Sequence, residues 1–566
     1  MPQTGVRLSR SWQLIRPFPA LPCAAAIALA VSISIALWAW LGRPVPIVDA
    51  PTGRLECLSY APTTADASPL TAIEGVYTVP AGLIAADLAA LAPYTECVRT
   101  YSMLGSQGDV LAAAAAAGMQ VMVGIWIGAD DVRNEREIAA ALAIAHAHPG
   151  AVRAIVVGNE VLLRREMTGE RLARIVRSVK ARTDLPVTYA DIFEFWRRNP
   201  VVVDAVDFVT IHVLPYWDDP APVGIDAVQA HVRTIVATAR QTFPGKAIRI
   251  GEIGWPSAGR TRAAAVPTRV NEARFVREFA AQAATIGLPY NLIEAIDQPW
   301  KRAPEGTVGG YWGLLDKARQ PKFSLTGPVS EWPDWPWAAA FAAGLSILSL
   351  LLVGRRLRPA AAWRWAGLGL VLPAAGASLW TLVDYLGALA IGWTGIVWAA
   401  GLVAIAGAGG VLLVLQLAGK AIPRPASLAE VTVWLRRDRA WDGAVGLGLL
   451  HWAVVLPAAI VAVSLAVDGR HRDFLQLAFW MPAMGFALLA WQRRGEISDV
   501  PRPEEGWMAV LLVLSAPFAV DAFANREAIV WALVCVILAL PWLADARREA
   551  VDLAGGLRRL VSARQA

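Results

Sequence analysis

Leu21–Leu41 is apolar for about the width of a bilayer, and further runs of the same character fill the C-terminal half of the chain. Such runs leave little choice of structure. In hydrocarbon every backbone N–H and C=O must find its partner within the chain, so each run has to be a helix. The later runs are approximately Ala338–Val353, Trp365–Ala388, Gly392–Ala418, Gly443–Val467, Phe474–Trp491, Trp507–Phe523 and Ala528–Leu543. Together with the first they predict about eight crossings. The composition agrees: of 566 residues, 56% are hydrophobic and only 17% charged.

The net charge of +6 does not point to nucleic acid, because the arginines cluster at the ends of apolar runs, where they set topology in a lipid bilayer. Arg7, Arg10 and Arg16 precede the first run, and Arg355, Arg356 and Arg358 follow the second. Lys420, Arg424, Arg436, Arg437 and Arg439 follow the fourth, Arg493 and Arg494 the sixth, and Arg547 and Arg548 the eighth. With the N-terminus in the cytoplasm, all of these fall inside, and the segment between the first two runs falls outside. The first run is long and has no clean small-x-small site after it, so it is read as an uncleaved signal anchor. Asp468-Gly469-Arg470-His471-Arg472 is the exception, a basic loop on the outer side; being short and partly acidic, it is read as incidental. Asp384, His451 and Asp521 are the ionisable groups within the runs, too few to suggest a coupled transporter.

Between Leu55 and Phe323 the pattern is different. Short apolar strands alternate with Ala-rich helical stretches, as in βαβ units. Strands are expected near Leu55–Tyr60, Cys97–Tyr101, Gln120–Ile127, Ala154–Gly158, Val187–Ala190, Phe208–Val213, Ala247–Gly251 and Asn291–Ala295. Helices are expected over Asp109–Ala117, Val132–Ala147, Thr168–Arg182 and Arg269–Ile286. About eight strands is what a closed (β/α)8 barrel needs. The fold class is therefore α/β, a TIM barrel followed by an all-α multi-span transmembrane bundle. Its divisions are 1–18 (cytoplasmic N-terminus), 19–42 (anchor helix), 43–53 (linker), 54–325 (barrel), 326–337 (aromatic linker), 338–545 (membrane domain of about seven helices) and 546–566 (cytoplasmic tail).

Two strand ends carry carboxylates. Ile155-Val156-Val157-Gly158-Asn159-Glu160 stops on Glu160 with an amide before it, and Ile248–Ser257 places Glu252 where an apolar strand gives way to Gly, Trp and Pro. Cleaving a glycosidic bond requires one protonated and one ionised carboxyl. A buried or capping role for either glutamate is the bland alternative. Gly-Asn-Glu at 158–160 and Glu-x-Gly-Trp-Pro-Ser at 252–257 resemble the two signature motifs of glycoside hydrolase family 17, and the likeness covers about residues 54–325. The resemblance implies a retaining β-1,3-glucanase or β-1,3-glucanosyltransferase, with Glu252 as nucleophile, Glu160 as acid/base and Asn159 bonded to the sugar 2-hydroxyl. The layout with a membrane half appended is also similar to a rhizobial protein implicated in the β-1,6 linkages of cyclic β-1,3/1,6-glucans.

Other candidates are weighed against plainer roles. Arg99, with Tyr101 two residues on, either holds the nucleophile ionised or makes a structural ion pair. Tyr216 either donates to Glu252 or lines the wall. Trp255, Trp300 and Trp312 are sugar-stacking platforms or core, and Lys301 lies where the resembled family has subsite residues. Glu294 and Asp297 are rival acids at the last strand. Of four cysteines, Cys57 and Cys97 fall in neighbouring strands; a disulfide is open to them, but two small buried core residues are the favoured reading. No cysteine or histidine spacing suggests a metal, and no cofactor is expected.

The combined expectation is a membrane-bound glucanosyltransferase of the periplasmic face of a bacterial inner membrane, making β-1,6 linkages in β-glucan, with a glucan synthase as a possible partner. The alternatives are an endo-1,3-β-glucanase and a non-catalytic glucan-binding or export subunit.

Overall fold

The structure is a computed structural model that describes residues 20–64, 77–219, 222–357, 361–436, 441–493 and 502–543. Arg7, Arg10, Arg16, Arg358, Arg437, Arg439, Arg494, Arg547, Arg548 and the tail 546–566 lie outside the described residues. Helix α1 (Ala20–Leu41) leads through an extended linker to β1 (Leu58–Ser59), and strands and helices then alternate. They are α2 (Leu83–Leu91), β2 (Cys97–Arg99), α3 (Asp109–Ala116), β3 (Gln120–Ile125), α4 (Asp131–Ala147), β4 (Val152–Asn159), α5 (Gly169–Lys180) and β5 (Val187–Ile192). Two short helices, α6 (Phe193–Arg198) and α7 (Pro200–Val203), precede β6 (Val209–Val213), α8 (Val228–Thr242), β7 (Ile248–Ile253), α9 (Arg269–Ile286) and β8 (Tyr290–Leu292).

The eight strands form one closed barrel, β1 to β8 in order, with β1 meeting β8 at Leu58 and Leu292. All eight expected strands are present. They are buried on both faces, which is why Ala154–Val157 reads as a continuous apolar run and why even the polar Thr210 and His212 of β6 are buried. Helix starts are fixed by side chains: Asp130 accepts from the amides of Val132 and Arg133, Thr168 from Arg171 and Thr268 from Asn271. Gly287, at φ 58, ends α9 in the left-handed conformation.

The favoured reading of Cys57 and Cys97 is corrected. They form a disulfide, with Cα atoms 4.5 Å apart. The register explains it: Leu58 pairs with Val98, so the residues just before them are neighbours across β1 and β2.

Downstream of β8, a short helix α10 (Arg302–Glu305) lies in the connecting loop, followed by α11 (Trp335–Arg356), α12 (Ala362–Leu389), α13 (Gly392–Leu417), α14 (Leu428–Arg436), α15 (Gly443–Val467), α16 (Gln476–Gln492), α17 (Pro503–Ser515) and α18 (Arg526–Ala539). Among the described residues five helices, α1, α11, α12, α13 and α15, are long and apolar enough to cross a membrane. The last three expected spans are shorter helices of 17, 13 and 14 residues, the last two continuing as 3-10 turns. Helix α14 was not anticipated; nine residues give too short a pattern to stand out. Small residues let the long helices approach closely. A Cβ on Gly376 would fall 2.8 Å from the Ala342 Cα, and one on Gly409 2.4 Å from the Pro482 ring.

The bundle touches the barrel through alternate helix ends. The Ser330 hydroxyl donates to the Gly42 carbonyl (2.7 Å), joining the end of α1 to the start of α11. The α12–α13 turn receives Arg302, and the α17–α18 connection meets Thr261 through Asn525 (3.0 Å). The α15–α16 connection holds the basic segment 468–472, which has partners on the barrel: Arg260 donates to the carbonyls of Gly469 and Arg472, and Arg470 pairs with Asp219. Arg355, Arg356 and Arg436 lie in the last turns of α11 and α14, and Lys420, Arg424 and Arg493 follow α13 and α16, at the helix ends away from these contacts. The barrel's entry and exit are fastened together. Val45 bridges Val329, and the buried Arg277 donates to the carbonyls of Val48, Ser324 and Gly327 and pairs with Asp49.

The disulfide closes a loop with a sequence separation of 40. In the chain-entropy picture such a cross-link removes about 4 kcal/mol of unfolded-state freedom. Cys57→Ser/Cys97→Ser is expected to lower barrel stability by about 2–4 kcal/mol, read as a lower midpoint in denaturant unfolding followed by tryptophan fluorescence.

Candidate functional site

The C-terminal ends of the strands form the mouth of a (β/α)8 barrel. At the end of β4 the chain turns through Gly158 (φ 89) and Glu160 (φ 54), and the Glu160 amide donates to the Ala190 carbonyl (2.8 Å). A glutamate in the left-handed region is strained and is held there by its surroundings. The turn brings Glu160 over the barrel axis while Asn159 stays on the strand. At the end of β7, Glu252 is 5% exposed. Gly251, just before it, has to be glycine: a Cβ there would stand 2.9 Å from the His212 ring.

His212, from β6, joins the two carboxylates. Its Nδ1 lies 3.0 Å from Glu160 Oε1 and 3.4 Å from Glu252 Oε2. The ligand-type atoms of the three residues all lie within 4.8 Å of one another. That is the short spacing of carboxyls that meet one sugar ring directly, well below the roughly 6.5–9.5 Å that leaves room for an intervening water. A divalent cation would find ligands here, but Arg99 already places a fixed positive charge on Glu252 and opposes a second one.

Arg99 is 1% exposed and spans the site. Its Nη1 donates to Glu252 Oε1 (2.9 Å) and to the Gly251 carbonyl (3.0 Å), and its Nη2 to Asn159 Oδ1. With its oxygen engaged, Asn159 has its NH2 to offer. The Tyr101 hydroxyl also donates to Glu252 Oε1 (2.8 Å), so Arg99 and Tyr101 share one carboxylate oxygen. Burial pushes the Glu252 carboxyl up, but His212, Arg99, Lys301 and Tyr101 outweigh it and hold the group below the usual range. Burial lowers His212, and the two glutamates more than reverse this, raising it above an ordinary imidazole.

From the loop after β8, Lys301 pairs with Glu294. Burial raises Glu294 to about 7 against the pull of Lys301. Glu305, a fourth carboxylate, is also raised by burial, with Glu252 and Glu160 adding to the effect and Lys301 opposing it. The Trp300 ring is half-buried beside Lys301, and its indole N–H donates to Gln298 (2.8 Å).

Three expected contacts are corrected. The Tyr216 hydroxyl donates to the Arg260 carbonyl (2.8 Å), not to Glu252, because the chain turns outward after β6. Trp255 is fully buried, stacked on Phe275 and bonded to the Val266 carbonyl, so it is core. Trp312 is 5% exposed and lies between Gly254 and Trp217, leaving no broad face for a sugar. Asp297 sits with Glu272 around Lys322 in a buried ion cluster that also bonds Ser257, which accounts for the serine at 257. His212, Glu305 and Trp126 were not chosen as site residues from sequence. His212 lies near the end of β6, Glu305 ends the four-residue helix α10, and Trp126 follows β3 with Arg164 over its ring (4.3 Å).

Residues 57–313 match the family model of the BtgE/BtgC glycoside hydrolase domain. A glucan 1,3-beta-glucosidase of Schizosaccharomyces pombe is 28% identical over 42% of this chain and 79% of its own length. One of Arthroderma benhamiae is 29% identical over 44% and 85%. Among solved structures, the glycoside hydrolase family 17 beta-1,3-glucanosyltransferase of Rhizomucor miehei is 26% identical, covers 49% of this chain and 97% of that one, and has a TM-score of 0.42. The barrel half of this chain is similar to glycoside hydrolase domains of the BtgE/BtgC type, and these homologues make it an enzyme unit for O-glycosyl bonds.

Proposed function

We propose that the protein is a membrane-bound retaining β-1,3-glucan glucanosyltransferase, with Glu252 as nucleophile and Glu160 as general acid/base. The observation that carries this is the convergence of the two carboxylates on His212 within 4.8 Å. Glu160 gives its proton to the leaving glycosidic oxygen while a Glu252 oxygen bonds to the anomeric carbon. The leaving chain departs with that proton. Glu160, now ionised, takes the proton of an acceptor hydroxyl, whose oxygen bonds to the anomeric carbon as the Glu252 ester breaks. Asn159, held by Arg99, donates to the sugar 2-hydroxyl as positive charge grows on the ring. Trp300 and Lys301 line the mouth.

A barrel tethered to a membrane is suited to remodelling a glucan as it leaves the cell, and β-1,6 linkages in a periplasmic glucan are the proposed product, with a glucan synthase a fitting partner. Two features support an inner-membrane chain with its barrel outside: the basic residues at the helix ends away from the barrel, and the Cys57–Cys97 disulfide, which persists in oxidising compartments. The names of the relatives as 1,3-beta-glucosidases favour hydrolysis as the second reading.

Incubating the full-length protein with end-labelled β-1,3-gluco-oligosaccharides separates the two. Products longer than the donor, with new linkages seen by NMR, are expected; shorter sugars alone would establish hydrolysis. Glu160→Gln is expected to lower kcat about 10²–10⁴-fold. In Glu160→Ala, added azide should restore turnover and give the β-glucosyl azide, whereas Glu252→Ala should give the α-anomer; the reverse pattern would exchange the two roles. Glu252 must be ionised to attack, and a low pKa keeps it ionised as pH falls. Tyr101→Phe raises that pKa, so the acid limb of kcat/KM should move to higher pH by about one unit.

A further inference from the structure

The segment from Pro299 to Tyr311, after β8, carries Trp300, Lys301 and Glu305 to the mouth of the barrel. Its outer side is bonded to the membrane half. Arg302 donates from Nη1 to the carbonyls of Ala388 (2.7 Å) and Ala390 (3.0 Å), at the α12–α13 turn. The Tyr311 hydroxyl donates to the same Ala388 carbonyl (3.0 Å). The Thr307 hydroxyl donates to Asp473 Oδ2 (2.8 Å), and the other oxygen of that carboxylate accepts from Tyr385 of α12 (2.6 Å). Gly306, at φ 76, lies so close to the α15–α16 connection that a Cβ would stand 2.2 Å from the His471 carbonyl oxygen. The loop is thus fastened by α12, by the α12–α13 turn and by the α15–α16 connection. Asp473 ties the loop to two of them at once.

We propose that the membrane half positions the β8 loop, with Asp473 and the Ala388 and Ala390 carbonyls clamping Arg302, Thr307 and Tyr311 so that Lys301 and Glu305 stay beside the catalytic pair. The proposal rests on the reading of Glu252 as nucleophile and extends it. The groups facing Glu252 are Arg99 and Tyr101 from β2, Glu160 from β4, His212 from β6, and Lys301, Glu294 and Glu305 from β8 and its loop. The strands fix the first four. Lys301 and Glu305 depend on the loop, and the loop depends on the bundle. Arg302, Thr307, Tyr311 and Asp473 are therefore positioning residues, acting on the reaction through Lys301.

The test uses the full-length protein in nanodiscs. Hydrogen exchange over residues 299–311 and the pH profile of kcat/KM on a β-1,3-gluco-oligosaccharide are compared for wild type, Asp473→Ala and Asp473→Asn. The alanine variant is expected to exchange faster over that segment, to lose about ten- to a hundredfold in kcat/KM, and to show its acid limb at higher pH as Glu252 loses Lys301. The asparagine variant keeps partners for Thr307 and Tyr385 and should restore most of both readouts. If Asp473→Ala does not fold, Thr307→Val breaks the same contact from the barrel side and gives the same readouts. Unchanged exchange over 299–311 would overturn the clamp. A wild type inert on the oligosaccharide would overturn the proposed function, and the exchange comparison would still decide the clamp.

Discussion

A guanidinium shut away from water is tolerated only where anions and carbonyls surround it, and Arg99 meets that condition at the centre of the barrel. Its fork reaches β7 through Glu252 and the Gly251 carbonyl, and β4 through Asn159. One side chain on β2 thereby fixes the two strands that carry the carboxylates. It also counters the burial of Glu252, which would otherwise favour the neutral acid. His212 from β6, Lys301 from the loop after β8 and Tyr101 just beyond β2 act in the same sense, so the ionised state is set by several elements together.

Much of this was legible in the chain. Short apolar strands alternating with Ala-rich helical stretches declare a parallel, helix-covered sheet, and the motif residues at 158–160 and 252–257 mark two strand ends. What was not legible depended on direction. Trp255 is as aromatic as Trp300, but one ring turns into the α9 side of the barrel and the other stays at the mouth. Tyr216 and His212 lie four residues apart, and only the residue still on the strand reaches the carboxylates. Glu305 ends α10, a helix of four residues, too short for periodicity to report which way a side chain points. The disulfide was misjudged because neighbouring strands fix proximity but not register.

The membrane half shows the same limit. Apolar length marks α11, α12, α13 and α15 well, because a long helix in lipid needs little beyond apolar side chains. The connections between helices carry no such signal. The stretch 468–473 looks like an ordinary polar turn, yet its carbonyls and carboxylate meet Arg260 and Thr307 of the barrel. A domain called an anchor on hydropathy alone is, in its connections, part of the surroundings of the β6–β8 side of the mouth.

The fastening of Val45 to Val329, with Arg277 tying the strands of linker on either side, has an architectural consequence. Chain enters and leaves the barrel at one point, and α1 and α11 pack against each other directly beneath it. Topologically the barrel is an insertion into the tip of a helical hairpin. Such an arrangement is modular: the hairpin closes whatever the inserted unit is, provided that the unit's ends meet at a similar spacing. The graft point lies between Gly42 and Ser330, so an unrelated domain with adjacent termini is compatible with the same two helices.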